Sequence, residues 1–291
     1  MSLQLKIVMT SDNVNGRQIV KVVNGHATSD GAGVHLTRLL GTSELSYLDP
    51  FLLLDEIRSD DPNDYIAGFP DHPHRGFETV TYMLAGRMRH ADNKGNSGLL
   101  GPGSVQWMTA GRGIVHSELP EQENGLMWGF QLWVNLPASK KLTEPRYQDI
   151  PAQEIPEVVP ESGVRARVVA GEFSGATGPV QGISTDPIFL DLTLEAAKSV
   201  LIPLPTKYNA FIYVYEGSIQ LGLKSPGAKR NQLAVLGSGS HIDLSGGSTG
   251  ARIILVAGRP CNEPVARYGP FVMNTEEEIR QAFADYQAGC F

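Results

Sequence analysis

The chain is short of cysteine, of basic runs and of long apolar stretches, and each shortage removes a class of protein. Its two cysteines, Cys261 and Cys290, lie near the C-terminus and cannot build a disulfide framework; they read as free thiols in a reducing compartment. No Lys/Arg run offers a phosphate-binding stripe and the formal net charge is -7, so direct nucleic-acid binding is not expected. Nowhere do about 18 apolar residues run together, and the first ten residues lack the apolar segment of a signal peptide. The expectation is a soluble cytoplasmic protein (nuclear as well, if eukaryotic) that makes no membrane contact. With 41% hydrophobic and 19% charged residues, the chain is not disordered, and its 291 residues suit two cores better than one.

What the chain has in quantity is turn residues. Gly 32 and Pro 19 punctuate many short strand-like segments, which points to an all-β protein. In the first half these segments are Leu3–Met9, Gln18–Val23, Val34–Leu40, Thr79–Leu84, Val105–Thr109 and Leu126–Val134. A Pro-rich, charge-mixed stretch follows at 137–160, and strands resume at Val164–Val169, Ile188–Leu194, Phe211–Leu221, Leu233–Leu236 and Arg252–Val256. The halves echo each other: Tyr82–Gly86 (YMLAG) matches Tyr213–Gly217 (YVYEG), and Leu100–Ser104 (LGPGS) matches Leu236–Ser240 (LGSGS). Two barrels from one duplicated unit are therefore expected: residues 1–136, a linker at 137–160, and residues 161–291. Thr275 and Glu278 form a capping-box pattern, and Ile279, Phe283 and Tyr286 share one helical face, so the chain should end in a helix packed on a barrel.

Three of the seven histidines fall into two short pairs with distinctive neighbours. His72 and His74 flank Pro73, and residues two apart on a strand project from the same face. Continuing that parity gives Glu78, Val80, Tyr82 and Leu84 as the row facing a barrel interior. His116 and Glu118 form the second pair, just after Gly111-Arg112-Gly113. If the two strands are neighbours, three imidazoles and a carboxylate converge, a donor set suited to a divalent first-row metal. Six-coordinate geometry would leave two positions open. Glu78 competes with Glu118 for the carboxylate role, and the spacing alone does not decide between them.

The segments His72–Leu84 (HPHRGFETVTYML) and Gln106–Glu118 (QWMTAGRGIVHSE) resemble the two signature segments of the pirin family. Asn135-Leu-Pro and Glu144-Pro-Arg-Tyr-Gln-Asp149 are similar to that family too. The resemblance implies two jelly-roll barrels of the cupin type, arranged face to face. It implies a metal held by His72, His74, His116 and Glu118, with Glu78 orienting a ligand from behind. It also implies one divalent ion per chain, iron(II) by preference, although other divalent metals suit such sites. Counted offsets place Pro203, Pro205, Arg252 and Ile254 at the matching positions of the second half, so no metal is expected there. His90 and His241 read as turn or surface residues, and Arg75 and Arg112 as structural ion pairs.

Three functions compete. The first is an iron dioxygenase that opens a flavonol such as quercetin with dioxygen, releasing carbon monoxide, in which Glu118 takes the substrate's 3-hydroxyl proton. The second, also carried by the resemblance, is a metal- and redox-dependent regulator that binds a transcription factor or a metabolic enzyme. The third is a protein whose metal is purely structural, which an open coordination sphere argues against. The dioxygenase is preferred: a small aromatic polyphenol and O2 as substrates, a protein partner as the alternative, and a monomeric chain.

Overall fold

The computed structural model describes residues 16–122, 124–222 and 226–291; the expected strand Leu3–Met9 lies outside them. The described chain is mostly strand, in antiparallel sheets, with one α-helix, Glu276–Gln287. The first barrel faces a seven-stranded sheet against a four-stranded one. Strands Phe77–Ala85, Met127–Asn135 and Phe51–Ser59 lie side by side in the larger sheet. Phe69–His74, Ile114–Pro120, Met88–Asp92 and Ser97–Leu100 form the smaller one. A single nine-stranded sheet curls into the second barrel.

Strand alternation sorts the side chains of each sheet onto two faces. In the second barrel Ile212, Val214, Leu190, Leu192, Ile253 and Leu255 turn inward and fill a solid apolar core. Phe211, Tyr213, Tyr215 and Val256 turn outward, where they pack on Val80, Tyr82, Phe130 and Leu132 of the first barrel. The two barrels therefore share a core along their facing sheets, which gives the face-to-face bicupin arrangement.

Both ends of the described chain cross over. Ile19–Asn24 pairs with Gln232–Leu236 in the second barrel's sheet. The C-terminal segment returns to the first barrel: a hairpin of Ala266–Tyr268 and Phe271–Met273, then the helix. Thr275 and Glu278 complete the capping box that closes the helix N-terminus. Two glycines of the signature segments explain why the return fits. A Cβ on Gly76, at φ 87, would lie 2.0 Å from the Val272 carbonyl oxygen, and one on Gly113 would lie 2.7 Å from the Phe291 ring. The Pro-rich stretch is not bare coil. Arg146–Ile150 adds an edge strand to the first barrel and Glu157–Glu161 adds one to the second.

Candidate metal centre

Phe69–His74 and Ile114–Pro120 are antiparallel neighbours, with His116 directly opposite His72 and Ile114 opposite His74. That register brings three imidazoles together. The ring centroids lie 4.4 Å apart for His72 and His116, 4.7 Å for His72 and His74, and 5.1 Å for His74 and His116. One nitrogen of each lies within 4.8 Å of the others, a cluster able to hold a metal ion. His116 is 0% and His74 3% exposed, whereas His72 is half-buried at the mouth.

The hydrogen bonding fits an ion. His74 Nδ1 and both ring nitrogens of His116 are buried without a partner, a costly state unless something else fills it. His72 Nδ1 lies 2.8 Å from the Pro70 carbonyl, which can only accept, so Nδ1 carries the hydrogen and Nε2 keeps its lone pair. Burial, followed by the neighbouring imidazoles, pushes His74 and His116 well below the usual histidine range. Neutral imidazole is the form that binds metal.

Glu118 is placed differently. It keeps the face of His116, because the pairing of Ile114–Pro120 with Met88–Asp92 is unbroken and the bulge in the other pairing lies on Phe69–His74, but it has hydrogen-bond partners of its own. The Glu118 carboxylate accepts hydrogen bonds from the Thr81 hydroxyl at 2.7 Å and from Gln131 Nε2 at 2.8 Å. It lies outside the histidine group, although it lines the same cavity.

That cavity has a volume of about 600 Å³. Leu36, Leu53, Ile57, Phe69 and Trp133 give it apolar walls, and Arg267 and Pro270 reach in from the C-terminal segment. Trp133 stands edge-on to His74 at 5.2 Å and packs on Phe77, itself 5.0 Å from His74. One wall is polar: Arg38 is bonded to Asp55 at 2.7 and 2.9 Å and to Asp30 at 2.8 Å.

Three expectations are corrected. First, the parity running from His72 to Leu84 is broken at Gly76, whose positive φ separates the two strands. Phe77 and Thr81 therefore face the histidines and Glu118, while Val80 and Tyr82 face the second barrel. Glu78 goes with the latter pair and accepts from Thr109 at 2.7 Å, so it does not orient a histidine. Second, His90 is no turn residue. It is buried on Met88–Asp92, bonded to Asp149 at 2.8 Å and stacked on Tyr147.

Third, Arg252 and Ile254 do not correspond to His116 and Glu118. Ile254 lies between Tyr213 and Asp191 as Phe130 lies between Tyr82 and Glu56, so the true match is Phe130. Arg75 and Arg112 do form ion pairs, with Asp285 at 2.7 Å and Glu144 at 3.0 Å. The sequence reading missed Thr81 and Gln131. Their signal was polar residues within two mainly apolar strands, which becomes meaningful only once the faces are known.

Two repeated barrels, one with a three-histidine cluster opening on a cavity and one filled with apolar side chains, define a bicupin with one candidate metal centre. The Pirin family model matches residues 33–134, and the Pirin C-terminal cupin domain model matches residues 189–291. The chain belongs to the pirin family. It is 49% identical over 276 residues to a pirin-like protein of Caulobacter vibrioides, covering 94% of this chain and 99% of that one. It is 41% identical to human pirin over 277 residues, covering 94% of this chain and 93% of that one. The crystal structure of a quercetin 2,3-dioxygenase from Acinetobacter baumannii matches with a TM-score of 0.88 at 32% identity, covering 95% of this chain and 99% of that one. No helix among the described residues is long and apolar enough to cross a membrane.

Proposed function

We propose that this chain is a metal-dependent dioxygenase of the quercetin 2,3-dioxygenase type, with His72, His74 and His116 holding one iron(II). The observation that carries the proposal is the buried cluster of unpartnered imidazole nitrogens opening on an apolar cavity. The kinship with the Acinetobacter dioxygenase supports it. An N-donor set of this kind suits first-row divalent ions, and the bound iron would supply the electron transfer that dioxygen chemistry requires.

The chain's own residues supply the rest. Phe69 and Trp133 offer flat apolar surfaces for a planar polyphenol, and the cavity's volume lies in the range of small-molecule sites. Glu118, on the same wall as the histidines, is the group to accept the proton of a flavonol hydroxyl, and it remains available as a fourth ligand. Trp133 and Phe77 pack behind His74 and fix its ring, which keeps the cluster organised before substrate arrives.

The test is anaerobic loading with iron(II), then addition of quercetin and oxygen. Loss of flavonol absorbance is followed together with carbon monoxide release. Turnover in the wild type that vanishes in His74→Ala is the expected result. Stoichiometric iron without turnover would overturn the dioxygenase and favour the regulatory role.

A further inference from the structure

At the margin of the seam the outer face of the second barrel's sheet changes from apolar to basic. Val164–Ala170, Ile188–Leu194 and His241–Gly258 lie side by side there, with Thr193 opposite Arg165 on one side and Arg252 on the other. Residues two apart on a strand project together, so Arg167 and Asp191 share this face. The alternate residues Val164, Ala166, Leu192 and Ile253 turn inward and fill the barrel. With Glu157 of the edge strand, the outward side chains surround a cavity of about 310 Å³, at the low end of small-molecule sites. It is separate from the histidine cavity, and the two share no lining residue.

The charges at this corner do not cancel. Arg167 donates to the Tyr82 hydroxyl at 2.8 Å and to the carbonyls of Gly103 at 2.8 Å and Ala152 at 3.0 Å. Arg252 and Arg58 share one carboxylate, Glu216, at 3.4 and 3.6 Å. Asp191 has both oxygens taken by the hydroxyls of Tyr82 and Tyr215. Arg165 is exposed and the Thr193 hydroxyl half-buried, and among the described residues neither has a hydrogen-bond or ion-pair partner. Arg58, Arg165, Arg167 and Arg252 thus stand against Glu157, Asp191 and Glu216.

We propose that this corner binds a phosphate dianion carried on a small ester, with Arg165 and Arg252 taking its oxygens from two sides and Thr193 donating from the floor. A guanidinium fork matches phosphate oxygens in pairs, and three donor groups suit a phosphate's three oxygens better than a carboxylate's two. The Arg252 guanidinium lies 5.0 Å from the Tyr215 ring and 5.5 Å from that of Trp128, which steady it over the cavity. Arg167, tied to the seam, adds its charge without moving. Glu157 on the rim opposes the anion and limits its affinity. The site does not depend on the metal-centre reading.

The experiment titrates the full chain with glycerol 3-phosphate in a calorimeter, with succinate as a dicarboxylate for comparison. Arg165→Gln, Thr193→Val and Glu157→Gln are run beside the wild type, with circular dichroism confirming that each is folded. The wild type is expected to bind one phosphate ester per chain with a dissociation constant of about 1 mM or tighter at low salt. Added chloride should weaken it, as for any partly exposed charge contact. Arg165→Gln should loosen binding roughly tenfold and Thr193→Val several-fold, whereas Glu157→Gln should tighten it. Succinate should bind about tenfold more weakly than the ester. Absence of saturable binding by the wild type would overturn the proposal. So would equal affinity in the wild type, Arg165→Gln and Thr193→Val, which would place the ester elsewhere on the chain. Succinate binding as tightly as the ester would overturn the choice of phosphate.

Discussion

Tyr82 and Tyr213 occupy the same position of the repeated motif, and each donates its hydroxyl to a carboxylate of the opposite barrel. Tyr82 reaches Asp191 at 2.6 Å, and Tyr213 reaches Glu56. Each barrel presents a row across three strands, Tyr82–Phe130–Glu56 in one and Tyr213–Ile254–Asp191 in the other. The rows meet so that each tyrosine finds the other's acid. The duplication visible in the sequence thus survives as reciprocal bonding at the seam, while among the described residues the three-histidine cluster lies in the first barrel.

These seam bonds are buried, and losing a donor leaves a carboxylate oxygen without its partner. Tyr82→Phe and Tyr213→Phe are each expected to cost about 1–3 kcal/mol of stability, measured by urea denaturation. Because the barrels share a core, one cooperative transition is expected in both variants. Losses below about 0.5 kcal/mol in both would show that the seam is held by apolar packing alone.

Glu78 gives a pH signature. Burial pushes its carboxyl from 4.5 up to about 7 in the folded chain. A raised value means that the folded state binds the proton more tightly. The associated stability is fully present below pH 4.5 and is lost as pH rises through about 7. The loss is at most about 3 kcal/mol. Glu78→Gln should flatten this limb and be more stable than the wild type at pH 8, as measured by thermal melts across the range. An unchanged pH profile would refute the assignment.

Lys141 ties three parts of the chain together. Its ammonium donates to the carbonyls of Gly76 at 2.8 Å and Val272 at 2.9 Å, and to Asn135 Oδ1 at 2.7 Å. Gly76 is two residues from His74, and Val272 belongs to the returning C-terminal segment. Burial lowers the lysine to about 8, so it begins to lose its charge in mildly alkaline solution. Lys141→Met should cost about 3 kcal/mol and expose residues 266–291 to limited proteolysis before the rest of the chain. Uniform proteolysis would show that the segment is held by other contacts.

Much of this architecture was legible beforehand, for identifiable reasons. Short alternating segments between Gly and Pro turns gave the strands, the capping box at Thr275 gave the helix, and the His72/His74 and His116 pairs gave the cluster. What escaped detection depended on turns that change strand parity. Gly76 reverses the face of the following strand, which moved Glu78 away from the histidines and brought Thr81 toward Glu118. His116 and Glu118 do share a strand face, as their spacing suggests, and the bulge lies on the partner strand Phe69–His74. The crossing of both termini depends on contacts between residues roughly 200 apart, such as Arg75 with Asp285, and no local pattern records those.

The most direct test of the metal centre is the count of iron(II) retained by anaerobically reconstituted wild type and by His116→Ala, with circular dichroism confirming that both are folded. His116 sits opposite His72 at the bottom of the cluster with both ring nitrogens unpartnered, so its removal opens the site without touching the seam. The expected result is one iron per wild-type chain and almost none in the folded variant. Equal iron in both would contradict the assignment of the three histidines as the metal site.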